Sequence, residues 1–307
     1  MSGHRGYNVL DHIGGTPLLQ IEKIELPTRV NIFAKAEWFN PGGSIKDRSI
    51  LGIITDGEKK GALTPDKILL DATSGNAGIA YAMIGASKGY KVQLAMPSNV
   101  SSERKRLIRS YGATIHFTDP LEGSDGAIKR ARDIYAANPG RFFYGDQYNN
   151  SANVRAHYQS TGVEIINQLP SEPTHFIAGI GTSGTIMGTG RRLREKYPNL
   201  KIIAVEPDGP LHGIEGLKNM ESALVPGIYD SSFPDEILSI STEDAQKTSR
   251  LLARVEGLLA GTSSGANIFA CMKIAREISE GTIVTILPDA GERYLSEEYW
   301  SEPDSRQ

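Results

Sequence analysis

Short apolar runs alternate with helical segments along most of this chain. The runs at 68–70 (ILL) and 92–96 (VQLAM) have the length of buried strands, and helical patterns over 77–87 and 103–111 follow them. Two parallel strands need a crossover connection, which is usually a helix, so this alternation predicts βαβ units on mostly parallel sheets. The sequence therefore predicts an α/β fold.

A polar crossing at 147–153 interrupts the alternation, which then resumes with a helix at 163–169, a strand at 175–178 and a helix at 185–196. The chain has 307 residues, which is enough for two lobes around separate cores. We predict two doubly wound lobes, each with a central, mostly parallel sheet. The stretch 207–240 is rich in Gly, Pro and Ser and is predicted to be irregular.

Composition excludes several classes of protein. The net charge of -3 argues against nucleic-acid binding through bulk charge, and the basic group 104–106 (RKR) is interpreted as a solvated helix face. No stretch approaches the roughly 20 apolar residues of a membrane span, and 1–8 lacks the apolar core of a signal peptide, so a cytoplasmic location is expected. The histidines show no paired ligand spacing, and no metal is expected. Cys271 is predicted to be a buried packing residue.

The stretch 40–48 (NPGGSIKDR) places a lysine directly after a glycine-bearing bend, at the predicted start of a helix. Backbone N–H groups at a helix N-terminus repel a cation, so this position lowers the pKa of a lysine and favours its neutral, nucleophilic amine. Lys46 is therefore the candidate for covalent chemistry. The alternative is a surface lysine on a helix that Ser44 caps.

The sharpest glycine-rich loop is 179–185 (GIGTSGT), between a predicted strand and a predicted helix. Helix N-terminal N–H groups favour a dianionic phosphate, glycine allows close approach, and hydroxyls add donors. We predict a phosphate-binding bend that consists of Gly181, Thr182, Ser183, Gly184 and Thr185.

The same loop also satisfies the dinucleotide pattern G-x-G-x-x-G, and Glu206 ends the next strand where a ribose-binding acid would lie. This alternative, an NAD-dependent dehydrogenase, leaves Lys46 without a role. Two further polar turns, 73–76 (TSGN) and 262–265 (TSSG), also precede helices. The carboxyl ends of parallel strands meet at one edge of a sheet, so we expect these turns to line one shared crevice. The hydroxyls and N–H groups of 73–76 would suit a carboxylate there. Simple helix capping at 73–76 is the alternative.

These motifs, in this order, resemble the fold-type II enzymes that depend on pyridoxal 5′-phosphate (PLP). Within that family the chain is most similar to the cysteine synthases, and particularly to the cysteine synthase B branch. The likeness extends from 14–18 (GGTPL) to 291–296 (GERYLS). The resemblance implies PLP as cofactor, a homodimer, and two domains. The larger domain, 1–45 and 150–307, would bind the PLP phosphate, and the smaller, mobile domain, 46–149, would close on the substrate.

The resemblance also assigns roles to single residues. It implies that Lys46 holds PLP as a Schiff base, that Asn76 bonds the cofactor's 3′ oxygen, and that Ser263 faces the pyridine nitrogen. The cofactor phosphate would lie on 181–185. The residues that would hold the substrate carboxylate are Thr73, Ser74, Gly75 and Gln147.

The implied reaction is a β-replacement on an activated serine, which is O-acetylserine or O-phosphoserine. The β-substituent leaves, an aminoacrylate remains, and sulfide or a sulfide donor adds to give L-cysteine. A sulfur-carrier protein is one candidate donor. The alternatives within the family are a cystathionine β-synthase that uses homocysteine and, less favoured, a serine/threonine dehydratase. Outside it, a dehydrogenase or a non-catalytic binding protein remains open.

Two positions depart from the family pattern. Ala77 replaces a threonine that is usual in the carboxylate loop, and Asp289 stands where many O-acetylserine enzymes carry serine. Lys218 matches a position where O-phosphoserine-using members carry a cation that pairs with the substrate phosphate. Its alternative is a solvent-facing lysine. If the first role holds, Lys218→Ala should raise the KM for O-phosphoserine more than for O-acetylserine.

Overall fold

The computed structural model describes residues 7–301 and has the predicted α/β architecture. Its strands, in chain order, are β1 (Leu18–Ile21), β2 (Val30–Ala36), β3 (Ile68–Ala72), β4 (Val92–Pro97), β5 (Thr114–Thr118), β6 (Phe142–Tyr144), β7 (His175–Gly179), β8 (Lys201–Pro207), β9 (Glu236–Ile240) and β10 (Gly281–Leu287). Its α-helices are α1 (Lys46–Lys59), α2 (Asn76–Lys88), α3 (Ser102–Ser110), α4 (Gly123–Ala137), α5 (Ser151–Gln159), α6 (Thr161–Gln168), α7 (Gly184–Lys196), α8 (Thr242–Leu251) and α9 (Thr262–Glu277).

The described strands form two sheets. The larger has the order β1-β2-β10-β7-β8-β9, and the smaller has the order β5-β4-β3-β6. The pair β1–β2 is antiparallel and the other pairs are parallel, so the prediction of mostly parallel sheets is confirmed. The carboxyl ends of β3 and β7 lead into the helices that carry the predicted site.

Apolar side chains fill both faces of the larger sheet. Ile283 and Leu287 of β10 pack in a cluster with α9, while Val284 and Ile286 pack in a second cluster with α7. A strand that is buried on both faces is mostly apolar, and β10 is apolar over 283–287 except for Thr285, whose buried hydroxyl donates to the Ile177 carbonyl at 2.7 Å. Cys271 lies in the α9 cluster with no exposed surface, which confirms its predicted packing role.

Four elements differ from the sequence prediction. The strands β6 and β9 and the helix α5 were not predicted, and 262–265 is the first turn of α9 instead of a separate turn. β6 is only three residues long, and β9 is an edge strand with largely exposed residues. The buried side of α5 includes Asn153 and His157, so it lacks the apolar period that marks a helix.

The predicted domains stay a prediction. The smaller sheet uses only strands from within 46–149, and the larger sheet uses strands from outside it. Residues 1–6 and 302–307, which include most of the stretch inspected for a signal peptide, lie outside the described residues. Across 7–301, no helix combines the length and the apolar character needed to cross a bilayer.

Candidate active site

A cavity lies between the two sheets, where the start of α1 faces the ends of β3 and β7. Most of the predicted site residues line it, although they come from distant parts of the chain. These are Lys46, Thr73, Ser74, Gly75, Asn76, Gln147, Gly181, Thr182, Ser183, Thr185, Lys218 and Ser263. Gly184 does not line the cavity but lies between two residues that do. The single crevice expected from the turns is therefore present.

Lys46 is the first residue of α1 and stands at the wall of this cavity. Burial lowers the pKa of its amine, and the charge of Asp289 partly opposes that shift. The bend before it depends on Gly43, whose φ of +74° favours glycine. Ser44 does not occupy the N-cap position, which falls to Ile45, but its Oγ accepts the Lys46 N–H at 3.2 Å.

Asn76 belongs to a hydrogen-bonded group that ties the start of α2 to the C-terminal part of the chain. Its Nδ2 donates to Asp289 Oδ2 at 2.7 Å, and its Oδ1 accepts from Arg293. The Tyr294 hydroxyl donates to the same Asp289 oxygen at 2.6 Å. Asp289 Oδ1 is buried with no hydrogen-bond partner among the described residues. Sequence reasoning noted Asp289 only as a departure and gave Arg293 and Tyr294 no role.

The carboxylate loop is organised by Thr73. Its Oγ1 accepts the N–H groups of Gly75 and Gly78, each at 3.0 Å, and neither Ser74 nor Asn76 caps α2. The capping alternative for those two side chains is therefore wrong. Gln147 is buried beside the loop, and its Nε2 donates to the Ala72 carbonyl at 2.8 Å.

The bend at 181–185 has free hydrogen-bonding capacity. Ser183 adopts φ +69°, immediately before the first residue of α7, and its Oγ is buried without a partner among the described residues. Thr182 Oγ1 accepts from Asn153 Nδ2 at 3.0 Å and contacts the Gly184 N–H at 3.4 Å. A helix N-terminus with a buried, unsatisfied hydroxyl is suited to a phosphate group.

Glycine is required at two positions of this bend because a backbone oxygen and a side-chain oxygen approach it closely. A Cβ on Gly181 would lie 2.0 Å from the carbonyl oxygen of Gly216. On Gly184 it would lie 2.0 Å from Asn153 Oδ1. The segment 215–218 therefore packs directly against the bend.

The segment 215–218 supplies cavity residues that sequence reasoning largely missed. Glu215 forms an ion pair with Arg104 of α3, and Lys218 pairs with Asp125 of α4. Arg104 is only 2% exposed, so its predicted place on a solvated helix face is wrong. The solvent-facing alternative for Lys218 is also wrong, because its side chain is 6% exposed. No local pattern marks either pair, since the partners are far apart in sequence.

Comparison with known proteins identifies the family. The family model described as pyridoxal-phosphate dependent enzyme matches residues 9–289. The chain belongs to this family. It is 50% identical to a cysteine synthase from Aquifex aeolicus, over 96% of this chain and 93% of that protein. It is 40% identical to cysteine synthase B from Salmonella typhimurium, over 92% and 93% of the two chains.

The fold agrees with solved members of the family. The structure superposes on a cysteine synthase from Entamoeba histolytica with a TM-score of 0.93 and 37% identity, over 100% of this chain and 94% of the other. The predicted resemblance to the PLP-dependent cysteine synthases is confirmed.

The match to a PLP-dependent family gives no support to the alternative of an NAD-dependent dehydrogenase. Glu206 is the acid that this alternative expects to bind a ribose. Its Oε2 accepts a hydrogen bond from the Met220 N–H, with 3.0 Å between oxygen and nitrogen. That carboxylate therefore serves to hold the chain after 218. Among residues 7–301, no group of three or more His, Cys, Asp or Glu side chains is arranged to hold a metal ion.

Proposed function

We propose that this protein is a cysteine synthase that makes L-cysteine from an activated serine and sulfide with PLP as its cofactor. One observation carries the proposal. The Lys46 amine, the hydroxyl-bearing bend at 181–185 and the loop 73–76 line the same cavity. Lys46 would attach the cofactor covalently, the bend would bind its phosphate dianion, and the loop would bind the substrate carboxylate. The reaction needs these three sites. The identity to cysteine synthases supports it further.

The residues present fit PLP. Bound there, PLP supplies the electron sink that allows the substrate α-proton to be removed and the β-substituent to leave. Lys46 would hold the cofactor covalently, the bend at 181–185 would hold its phosphate, and Asn76 would orient the ring. Ser263 is buried in the first turn of α9 at the cavity wall. Its neutral hydroxyl, in place of a carboxylate, would leave the ring nitrogen largely unprotonated.

Lys46 is proposed to handle the substrate proton. Because burial lowers its pKa, the freed amine is more readily neutral at physiological pH than an exposed lysine amine. Its Nζ would take the proton from the substrate α-carbon and return it after sulfur has added. Asp289 would support this step indirectly, since it fixes the Asn76 side chain beside the same cavity.

The loop 73–76 is proposed to bind the substrate carboxylate. Thr73 shapes the loop by accepting two backbone N–H groups, which leaves Ser74 and the loop backbone to face the cavity. Gln147 lines the cavity from the adjoining segment and would close on the same carboxylate. Ala77 also lines it and provides no hydroxyl.

The activity test compares sulfur nucleophiles on the protein loaded with PLP. Incubation with O-acetylserine or O-phosphoserine and sulfide should yield cysteine, which mass spectrometry of the products measures. Lys46→Ala should lower the rate by roughly 10²–10⁴-fold or more, because the proton-transfer group is lost. Cystathionine from homocysteine with no cysteine from sulfide would favour the cystathionine β-synthase alternative. No product from either nucleophile would contradict the proposal.

The remaining parts of the proposal rest on the sequence pattern and, for the homodimer, on the family resemblance. They are a homodimer, a cytoplasmic location, and a sulfur-carrier protein as a possible alternative donor to free sulfide. Light scattering on the purified protein would test the homodimer.

A further inference from the structure

The segment 215–218 is joined across the cavity by two ion pairs of opposite polarity. Its anion, Glu215, pairs with the cation Arg104 of α3. Its cation, Lys218, pairs with the anion Asp125 of α4, and Lys218 Nζ lies 2.6 Å from Asp125 Oδ1. Glu215 and Lys218 both line the cavity. Both charged residues of this segment are therefore already paired, with partners from α3 and α4.

The Lys218–Asp125 pair is firmly placed. Lys218 Nζ lies 5.1 Å from the centroid of the Tyr148 ring, and Asp125 Oδ2 accepts the Leu224 N–H at 2.8 Å. Tyr148 lines the cavity, and so does Ser124, the neighbour of Asp125. Lys218 therefore belongs to the wall of the cavity, and the Asp125 carboxylate, which is 26% exposed, pairs with it from beside that wall.

Lys218 is the cation available to a substrate. Of the described residues that line the cavity, only Lys46 and Lys218 are lysine or arginine. Lys46 is committed to the cofactor in the proposed function. A substrate phosphate would therefore depend on Lys218, whose charge Asp125 already neutralises. Partial burial acts to raise the pKa of Asp125, but the hydrogen bonds from Lys218 and Leu224 and the Lys218 charge lower it overall, so the Asp125 carboxyl stays ionised at neutral pH.

We propose that Asp125 is a specificity-determining residue, which occupies Lys218 and so makes the cavity favour O-acetylserine over O-phosphoserine. This inference rests on the proposed function, because it assumes that an activated serine binds in this cavity. The acetyl ester carries no charge and loses nothing when Lys218 is paired. A dianionic phosphate must either displace the Asp125 carboxylate or bind beside a pair with no net charge.

A series of charge variants tests the proposal. The pair is neutral in the wild type, positive in Asp125→Asn, negative in Lys218→Met and neutral again in the double variant. The readout is the ratio of kcat/KM for O-phosphoserine to that for O-acetylserine, measured on the PLP-loaded enzyme with sulfide. The wild-type ratio should be below one. It should rise about tenfold or more in Asp125→Asn and fall by a similar factor in Lys218→Met, as a unit charge several ångströms from a dianion predicts.

The double variant separates charge from structure. An electrostatic role predicts that its ratio returns close to the wild-type value, and that added salt shrinks the shifts of both single variants. A wild-type ratio above one would overturn the proposal, as would an unchanged ratio in Asp125→Asn. So would a double variant whose ratio stays as displaced as that of a single variant. If the wild type makes no cysteine from either substrate, the proposed function itself fails, whereas cysteine formation with a constant ratio refutes only the role of Asp125.

Discussion

The charge of Asp289 acts on the Lys46 amine at the cavity wall, and this coupling has a measurable consequence. Burial lowers the pKa of Lys46, and the Asp289 charge raises it. Asp289→Asn removes the opposing charge, so the pKa of Lys46 should fall further. Because the amine acts as a base only when neutral, the acid limb of the pH–rate profile should move to lower pH. The measurement is kcat as a function of pH with O-acetylserine and sulfide.

Tyr294→Phe is the matched control for that prediction. It removes the hydroxyl that donates to Asp289 but keeps the carboxylate charge. Its acid limb should therefore lie closer to that of the wild type than the limb of Asp289→Asn does. An acid limb that stays in place or moves to higher pH in Asp289→Asn would contradict the coupling.

Site residues that belong to a local sequence motif could be predicted from the sequence, whereas ion pairs between distant residues could not. Lys46 and the bend at 181–185 have local signatures, because glycine, hydroxyls and a helix start must lie adjacent in the chain. Asp125 lies 93 residues from Lys218, and Arg104 lies 111 residues from Glu215. Only the folded chain brings such partners together.

In the proposed function, the bend at the start of α7 holds the phosphate of the cofactor. A Cβ on Gly181 would meet the backbone oxygen of Gly216 at 2.0 Å, and backbone cannot move aside as a flexible side chain can. Gly181→Ala should therefore displace the bend and raise the Kd for PLP about tenfold or more, since overpacking costs about 1–3 kcal/mol. Absorbance titration with PLP measures this Kd.

Gly140→Ala provides a matched control for the same titration. A Cβ there would meet no atom within 4 Å, and the backbone of Gly140 lies outside the left-handed region. Its Kd for PLP should equal that of the wild type. Equal affinities for PLP in the two glycine variants would show that the bend does not hold the cofactor.

Elements with a clear apolar pattern were predicted, and elements that pack through polar side chains were not. The strand at 175–178 and the helix at 185–196 were identified to within about one residue of β7 and α7. The helix α5 escaped because its buried residues include Asn153, which bonds Thr182 and the Gln147 carbonyl. The polar side chain of Asn153 supports the site residues, and it also interrupts the apolar periodicity from which a helix is predicted.

A buried ion network joins α1, α6 and the larger sheet. Glu164 accepts from Arg48 at 2.7 and 2.8 Å, and its Oε2 lies 2.8 Å from Lys35 Nζ. Burial acts to raise the pKa of Glu164, but the bonds from Arg48 and the charges of Arg48 and Lys35 lower it to about 2. This carboxylate therefore stabilises the fold above pH 4.5, its ordinary pKa, and the contribution is lost as the pH falls towards 2.

Glu164→Gln should lower the free energy of unfolding by roughly 2–4 kcal/mol at pH 7, because it leaves two buried cations undercompensated. The loss should shrink progressively below pH 4.5, where the wild-type carboxylate starts to forfeit its contribution. Urea unfolding at several pH values measures both effects. Glu280→Gln, which removes the exposed pair with Arg29, should change stability by less than about 1 kcal/mol. An equal loss at every pH would contradict the assigned charge effect.

The order of strands is the part of the whole molecule that the sequence could not supply. Alternation predicted parallel sheets, but β10, the last strand, lies in the middle of the larger sheet between β2 and β7. Residue 30 pairs with residue 281, and no local pattern records a pairing across most of the chain. That arrangement nonetheless brings Asp289, just after β10, to Asn76 and the cavity.

The most direct test of the central claim is to locate the cofactor on the chain. The purified protein is incubated with PLP, reduced with borohydride, digested and mapped by mass spectrometry. We predict that reduction bleaches the visible absorbance of the protein and leaves a phosphopyridoxyl group on the peptide that contains Lys46. A protein that gives no adduct, or an adduct confined to other lysines, would contradict the assignment of Lys46 as the catalytic amine.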